Sequence, residues 1–418
     1  MERKKLIIIG CGSRGEGYSR KGIEQDKFDV VAIAEPIENR RTWVQKRHQI
    51  PDSLAFESWE PLLEMPKMAD AAIIATMDRD HLAPALAAIE KGYDLLLEKP
   101  AAPTPEECRL IEKAAKEKGV SVLICHVLRY TPFFRAIKNM IDDGSLGKIV
   151  NIQHIEPVGH VHQSHSFVRG RWSNAEESSC MILQKSCHDM DILQWLVGKK
   201  CKRVHSFGAL SYFIPENAPE GAPERCIDGC PEKKCPYNAV KLYLDDKNNG
   251  WFRKASTQKM EPTDEDVELA LRTTEYGKCV FKCNNNVVDH QVVNLEFEDN
   301  ITCSFTMCAF SGGGRYIRVM GTKGELCGEM GQPTLTYRNF ISRKTKEVVI
   351  AEKAVDDTIV GGHGGGDQGI IAAFYDLLDG KISNSIGDIS ESVSNHMIAF
   401  AAERSRLEGR VVEMSEFE

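Results

Sequence analysis

The chain predicts an α/β protein: a doubly wound parallel sheet of the Rossmann type, then a C-terminal α+β domain with a large, open, mostly antiparallel sheet. Three observations carry this. The apolar run Leu6-Ile7-Ile8-Ile9 leads straight into Gly10-Cys11-Gly12-Ser13-Arg14-Gly15, a strand feeding a Gly-x-Gly-x-x-Gly turn. As far as residue 126, short apolar runs alternate with amphipathic segments at βα spacing. Beyond about residue 147, alternating runs are joined by short turns, as in hairpins. A chain of 418 residues exceeds one ordinary core. The expected division is 1–126 for nucleotide binding and 127–418 for substrate binding and oligomerisation.

Each glycine of the turn has a task. Gly10 permits the bend, Gly12 lets backbone approach a pyrophosphate, and Gly15 lets the helix starting at Ser13-Arg14 pack on the strand. A second strand over 28–34 ends at Glu35, about twenty residues past the last glycine, where a carboxylate accepts ribose hydroxyls. That acid repels a 2′-phosphate, so NAD is expected over NADP. A helix over 39–49 follows, with Arg40 and Arg41 read as its solvated face. A third strand over 69–76 ends at Thr76, and His81 opens a helix over 82–91. A fourth strand, 94–97, ends at Glu98-Lys99-Pro100. After a helix over 105–118, a fifth strand over 120–125 ends at His126. Parallel sheets bind ligands at the carboxyl ends of their strands. Glu35, Thr76, Lys99 and His126 should therefore edge one crevice.

The second half reads as strands over 149–158, 204–210, 291–297, 301–310, 316–320 and 325–327. Helices are expected over 367–378 and 388–407. Gly361-Gly362-His363-Gly364-Gly365-Gly366 reads as a hinge-like loop that brings His363 and Asp367 towards the crevice.

Bulk properties exclude several classes of function. A net charge of −8 argues against nucleic acid or anionic membrane as partner. No apolar run approaches the ~20 residues of a membrane span, and the N-terminus leaves no room for a signal peptide before the first strand. Cytoplasm is the expected location. Cys125, Cys303 and Cys308 sit in apolar strands as small hydrophobes.

Taken together, Gly10-x-Gly12-x-x-Gly15, Glu35-Pro36, Glu98-Lys99-Pro100 and Cys187-His188-Asp189-Met190-Asp191, in this order, resemble the Gfo/Idh/MocA oxidoreductases. This is the family of glucose–fructose oxidoreductase and inositol dehydrogenase. The resemblance spans the chain and implies an NAD-dependent oxidoreductase that takes hydride from a hydroxyl carbon of a sugar, glycoside or cyclic polyol. It also admits redox-neutral glycoside cleavage through oxidation, elimination and re-reduction. A third reading is a non-catalytic NAD-binding regulator, which would have no need of a poised base. A homodimer or homotetramer through the open sheet is implied as well.

Lys99 is the first catalytic candidate. At the end of a buried strand, beside a cationic nicotinamide, it is placed to polarise or deprotonate a hydroxyl. The residues alone leave open a lysine merely paired with Glu98. His188 is the second, and the resemblance gives it acid/base work. A departure accompanies it. The family's acid four residues earlier is Gln184 here, followed by Lys185, which leaves Asp191 as the expected partner of His188. Pro100 is read as fixing the turn that aims Lys99. On the substrate side stand His126, Arg129 and Tyr130, with His162, His165, Arg169 and Trp172 from a loop over 159–172. Histidine and arginine offer directional hydrogen bonds, and Trp172 a stacking face. His160, His162 and His165 admit a metal reading that lacks a nearby carboxylate. Cys226, Cys230 and Cys235, with Cys279 and Cys283 further on, leave a structural zinc open.

Overall fold

The computed structural model describes residues 2–248, 250–350, 363–381 and 389–417. The first sheet contains β1 (Lys4–Ile9), β2 (Phe28–Ala34), β3 (Ala55–Phe56), β4 (Ala71–Ile74), β5 (Asp94–Leu97) and β6 (Val122–Ile124), ordered β3-β2-β1-β4-β5-β6. All its pairings are parallel. Helices lie on both faces, which explains the unbroken apolar runs. Ile7 and Ile9 of β1 enter one buried cluster, whereas Leu6 and Ile8 enter the other. A strand buried on both sides cannot alternate with polar residues. The order reverses at β1, between β2 and β4, and the crevice opens beyond the strand ends there.

The second sheet contains β7 (Ile149–Pro157), β8 (Cys201–Ala209), β9 (His290–Phe297), β10 (Thr302–Cys308), β11 (Tyr316–Gly321), β12 (Gly324–Glu329), β13 (Thr334–Asn339), β14 (Thr345–Val349) and β15 (Val412–Glu413). Its order is β14-β13-β12-β11-β7-β10-β9-β8-β15. Only β7–β10 pairs parallel; the other ladders are antiparallel. One face is covered by the helices Cys187–Val197 and Ile389–Glu408, onto which Ile152, Val204, Val293 and Phe305 pack. Along β9 the burial alternates strictly, as a half-covered strand requires.

Two features position the site. Between β8 and β9 the chain makes an excursion of about eighty residues that carries its own small apolar cores, one around Tyr243 and Phe252 and another around Phe213, Tyr237 and Phe281. Near the C-terminus the helix Gly366–Leu378 returns to the first sheet. Its Ile370, Ile371, Phe374 and Tyr375 pack with Leu6, Ile8 and Phe28, and the rings of Phe28 and Phe374 stack at 6.1 Å. This return carries His363 and Asp367 to the mouth of the nucleotide-binding layer. Of the loop read over 361–366, Gly361 and Gly362 lie outside the described residues, as does Asp388 at the start of the last expected helix.

Candidate active site

The turn after β1 is built for close backbone approach. Gly10 has φ +92°, and a Cβ there would stand 2.5 Å from the Ala75 carbonyl oxygen at the end of β4. A Cβ on Gly15 would stand 1.9 Å from the Gly10 carbonyl oxygen. A Cβ on Gly12, by contrast, would meet nothing within 4 Å but the Arg40 guanidinium at 3.8 Å. The turn is thus packed on its protein side and open on the other, the form of a phosphate cradle at a helix N-terminus. Ser13, exposed, begins the helix Ser13–Glu24.

Glu35 is buried, and its carboxylate accepts from the backbone N–H of Cys11 (2.7 Å) and of Ile37 (2.9 Å). The acid that would receive ribose hydroxyls is thereby locked to the glycine turn. Arg41, read as solvated, instead donates to the Glu35 carbonyl at 2.7 Å and pairs with Glu57. Thr76 donates its hydroxyl to the Asp80 carbonyl, and His81 places Nδ1 2.8 Å from the Pro100 carbonyl oxygen. The Lys99–Pro100 peptide is cis.

At the end of β5 the two neighbouring charges separate. Glu98 does not hold Lys99 in an ion pair. It accepts from Arg14 at 2.7 Å and from the Tyr18 hydroxyl at 2.6 Å. Burial pushes the Glu98 carboxyl up, but the charges of Arg14 and Lys99 outweigh it and hold the group below the usual range. Lys99 Nζ donates to the Gln184 carbonyl at 2.8 Å. The residue standing where an acid was expected thus presents its backbone to the lysine, and Lys99 has no carboxylate partner among the described residues.

His188, near the start of the helix Cys187–Val197, lies in the same electrostatic neighbourhood. Burial first, then the charges of Lys99 and His126, keeps its imidazole well below the ordinary histidine range. Its Nδ1 is buried without a hydrogen bond, and among the described residues no carboxylate orients it. His126 stands edge-on to it at 6.0 Å, with neither ring nitrogen hydrogen-bonded among the described residues and its Nε2 3.8 Å from Asp191 Oδ1. The expected partner of His188 is elsewhere. Asp191 accepts a two-pronged contact from Arg129 (2.7 and 2.6 Å) and a hydrogen bond from Asn395 at 2.6 Å. Three residues on in a helix, Asp191 points to the side occupied by β6 and its following turn, where Arg129 claims it. Arg129 also pairs with Glu391, so it is tied to protein groups instead of reaching for substrate. Tyr130 is buried beside it.

The loop over 159–172 requires the largest correction. It contains the short helix His160–Gln163 followed by a wide turn over Ser164–Val168. His165 turns away from the crevice into the excursion. It stacks on Phe252 at 4.0 Å and bonds the Tyr243 hydroxyl at 2.7 Å. Burial lowers its pKa to about 3, so it is a neutral core group. Arg169 is buried too, donating to the carbonyls of Lys278 and Tyr237 at 2.7 Å each. Trp172 uses its Nε1–H on Asp78 at 3.3 Å, and Ser179 bonds the same carboxylate at 2.9 Å. Asp78 therefore clasps the loop over 159–172 to the turn after β4, a role that sequence reasoning missed. His162 alone of this loop stays near the lysines, its imidazole lowered by burial and by Lys185. Lys185 pairs with buried Glu156 at 3.3 Å, and Arg315 joins Glu156 to Asp189, which also bonds His154. This strand-borne network had no signal in the sequence, because Glu156 and Arg315 sit in segments that read as plain strand and turn.

The zinc reading finds no support. Cys226 lies against Arg169 Nη2 at 3.6 Å and the Lys278 carbonyl, and Cys283 lies 3.3 Å from the Cys279 carbonyl. Among the described residues no group of three or more His, Cys, Asp or Glu is arranged to hold a metal ion, and all fourteen cysteines are free thiols.

A glycine cradle, an acid pinned beside it, and a lysine after β5 and a histidine of the helix Cys187–Val197 at one mouth define a nucleotide-dependent oxidoreductase. Residues 4–126 match the model of an oxidoreductase family with an NAD-binding Rossmann fold, and residues 138–414 match its C-terminal alpha/beta domain. The chain belongs to the Gfo/Idh/MocA oxidoreductase family. It is 26% identical over 410 residues to the Bacillus subtilis protein YteT, described as an oxidoreductase, covering 90% of this chain and 89% of that one. It is 28% identical over 208 residues to a 2,7-anhydro-N-acetylneuraminate hydratase of Mediterraneibacter gnavus (50% of this chain, 53% of that). Over 215 residues it is 26% identical to a scyllo-inositol 2-dehydrogenase (NAD(+)) of B. subtilis (49% and 57%). These last two matches span only about half of each relative. An Agrobacterium radiobacter oxidoreductase solved with NAD+, L-tartaric acid and magnesium shares the fold, with TM-score 0.70 at 12% identity over the whole of both chains. No described helix is long and apolar enough to cross a membrane.

Proposed function

We propose that this protein oxidises a hydroxyl carbon of a sugar, glycoside or cyclic polyol with NAD. The observation that carries the reading is the placing of Lys99, without a carboxylate partner, beside His188 at the carboxyl end of β5. The glycine turn and Glu35 fit the dinucleotide: Gly10–Gly15 would cradle its pyrophosphate and Glu35 its ribose, which favours NAD over NADP. When bound, the nicotinamide supplies the hydride acceptor. The chain's own part is orientation and proton handling. Lys99 and His188 hydrogen-bond the substrate hydroxyl oxygen, and burial keeps His188 neutral, with one ring N–H to donate to that oxygen. The buried Asp78 clasp holds the substrate loop against the nucleotide-binding layer, excluding water.

The test is a panel of inositols, aldoses and methyl glycosides with NAD+ and NADP+, followed by reduced-nicotinamide absorbance and product chromatography. NADH formed in step with a ketone product is expected. A panel silent with both cofactors would refute the reading. Cleaved or hydrated product without net NADH would select the redox-neutral alternative, which the likeness to a hydratase favours as the second reading.

The uncovered face of the second sheet carries a cross-strand row of paired neighbours, Phe207, Val292, Thr306 and Ile155, of which Phe207, Val292 and Ile155 are exposed and Thr306 partly so. Phe207, on β8 at the edge of the sheet beyond the short β15, is 57% exposed. We propose a second copy of the chain as its cover. Sedimentation should give a dimer or a larger homo-oligomer, and Phe207→Asp should shift it to monomer; a wild-type monomer at micromolar concentration contradicts this.

A further inference from the structure

Among the described residues His188 has no orienting acid, yet the site contains an imidazole that has one. His363 precedes the helix Gly366–Leu378 and places Nδ1 3.0 Å from Asp367 Oδ1. Asp367 is itself buried and fixed by two N–H donors of Arg14, both at 3.0 Å. A carboxylate at Nδ1 makes that nitrogen the donor and leaves the lone pair on Nε2, which has no hydrogen bond among the described residues. The His363 ring lies 6.2 Å from that of His188, a gap that one substrate oxygen can bridge. His363 also holds φ +51°, a left-handed backbone that non-glycine residues adopt under constraint. Of the imidazoles gathered here (His126, His162, His188 and His363), only His363 hydrogen-bonds a carboxylate among the described residues.

We propose that His363, aimed by Asp367, is the catalytic base that removes the substrate's hydroxyl proton while Lys99 and His188 hold the oxygen. The proposal rests on the oxidoreductase reading above. In the step, the O–H bond breaks and an N–H bond forms at His363 Nε2. The freed O–H pair becomes the second carbon–oxygen bond, and the C–H pair leaves as hydride to oxidised nicotinamide. The proton on His363 then passes to water. The assignment follows from charge. A base must carry a positive charge after the transfer, and Asp367 stabilises it on His363, whereas Lys99 opposes it on His188. Burial still lowers His363 from its ordinary value, so Nε2 is unprotonated near neutrality. The charged and titratable groups facing it are Asp367 from the helix Gly366–Leu378 that follows it, Arg14 from Ser13–Glu24, Lys185 after Met181–Gln184, His188 from Cys187–Val197 and His162 from His160–Gln163.

The experiment uses the full chain with NAD+ and the best substrate of the panel above, reading first-turnover NADH by stopped flow and NADH binding by fluorescence. His363→Asn should slow the first turnover by about a hundredfold or more with NADH affinity kept within about twofold, and should remove the acidic limb of the pH profile. Added imidazole should restore at least about tenfold of the rate lost in His363→Ala, a rescue that a merely structural residue would not show. Asp367→Asn should lower kcat more than it raises KM. A first turnover in His363→Asn within about threefold of wild type, or no imidazole rescue, overturns the proposal while leaving the oxidoreductase reading intact. Wild type silent on the whole panel would remove both.

Discussion

Replacing Lys99 with alanine is expected to cut turnover by about a thousandfold while leaving the fold and NADH binding in place. The size follows from how the charge is kept available. Glu98, next in sequence, is occupied by Arg14 and Tyr18, and the position that would carry an acid is Gln184, which gives Lys99 a backbone carbonyl. A neutral acceptor holds the ammonium in place without cancelling it. That charge then falls on whatever oxygen enters the mouth, and as the oxygen becomes negative during proton loss the interaction strengthens, the condition for lowering the barrier instead of merely binding substrate. Lys99→Met, which keeps the stem and removes the charge, should lose as much as Lys99→Ala, whereas Lys99→Arg should recover part of it. The melting temperature should move by no more than a few degrees, because one half-exposed side chain and one hydrogen bond are worth about 1 kcal/mol. Retention of more than a tenth of wild-type turnover by Lys99→Met, with binding intact, would remove Lys99 from the chemistry.

How far the sequence could be read depends on what fixed each residue's direction. The glycine turn, Glu35 and Lys99 were legible because each sits at the carboxyl end of a parallel strand, and such ends open on one crevice. The order of motifs added the family, and with it the open second sheet. The loop over 159–172 was not legible in this way. His165, Arg169 and Trp172 looked like substrate contacts on composition alone. Two of them, however, are consumed by the excursion between β8 and β9, whose aromatic residues gave no periodic signal, and Trp172 is consumed by Asp78. Asp191 failed for a related reason. Helical spacing set which face it lies on, but not that Arg129, sixty-two residues earlier, would be waiting there. His363 and Asp367 were visible as a pair in a glycine-rich stretch. Their significance needed the return of Gly366–Leu378 to the first sheet, a contact spanning 353 residues between Arg14 and Asp367.

Stability should be flat above about pH 7 and fall steeply as the pH drops below the ordinary histidine value of 6.5. Seven imidazoles are wholly or partly buried with lowered proton affinity: His126, His162, His188 and His363 in direction, His48 down to about 4, and His165 and His396 down to about 3. In each the first cause is burial, reinforced by neighbouring positive groups; at His363 and His396 other contacts partly oppose it. The sign follows from linkage. A histidine whose folded pKa lies below its unfolded one binds fewer protons when folded. The unfolded chain therefore gains protons first as the pH falls through 6.5, and the folded state loses ground until the folded pKa is reached. Each fully shifted imidazole costs about 1.4 kcal/mol one pH unit below its unfolded pKa. Even partial shifts at these seven sites therefore amount to several kcal/mol, a large share of an ordinary folding free energy. The buried carboxyls Glu98, Asp189 and Asp367, held below their usual range chiefly against the cost of burial by Arg14 and Arg315, act in the same direction but only below about pH 4. Urea unfolding at a series of pH values separates the two windows, because the histidine loss begins two units higher. An unfolding midpoint unchanged between about pH 7.5 and 5.5 would mean that these imidazoles are hydrated and protonated in the native protein. In that case neither His188 nor His363 would be the neutral group that the proposed chemistry requires.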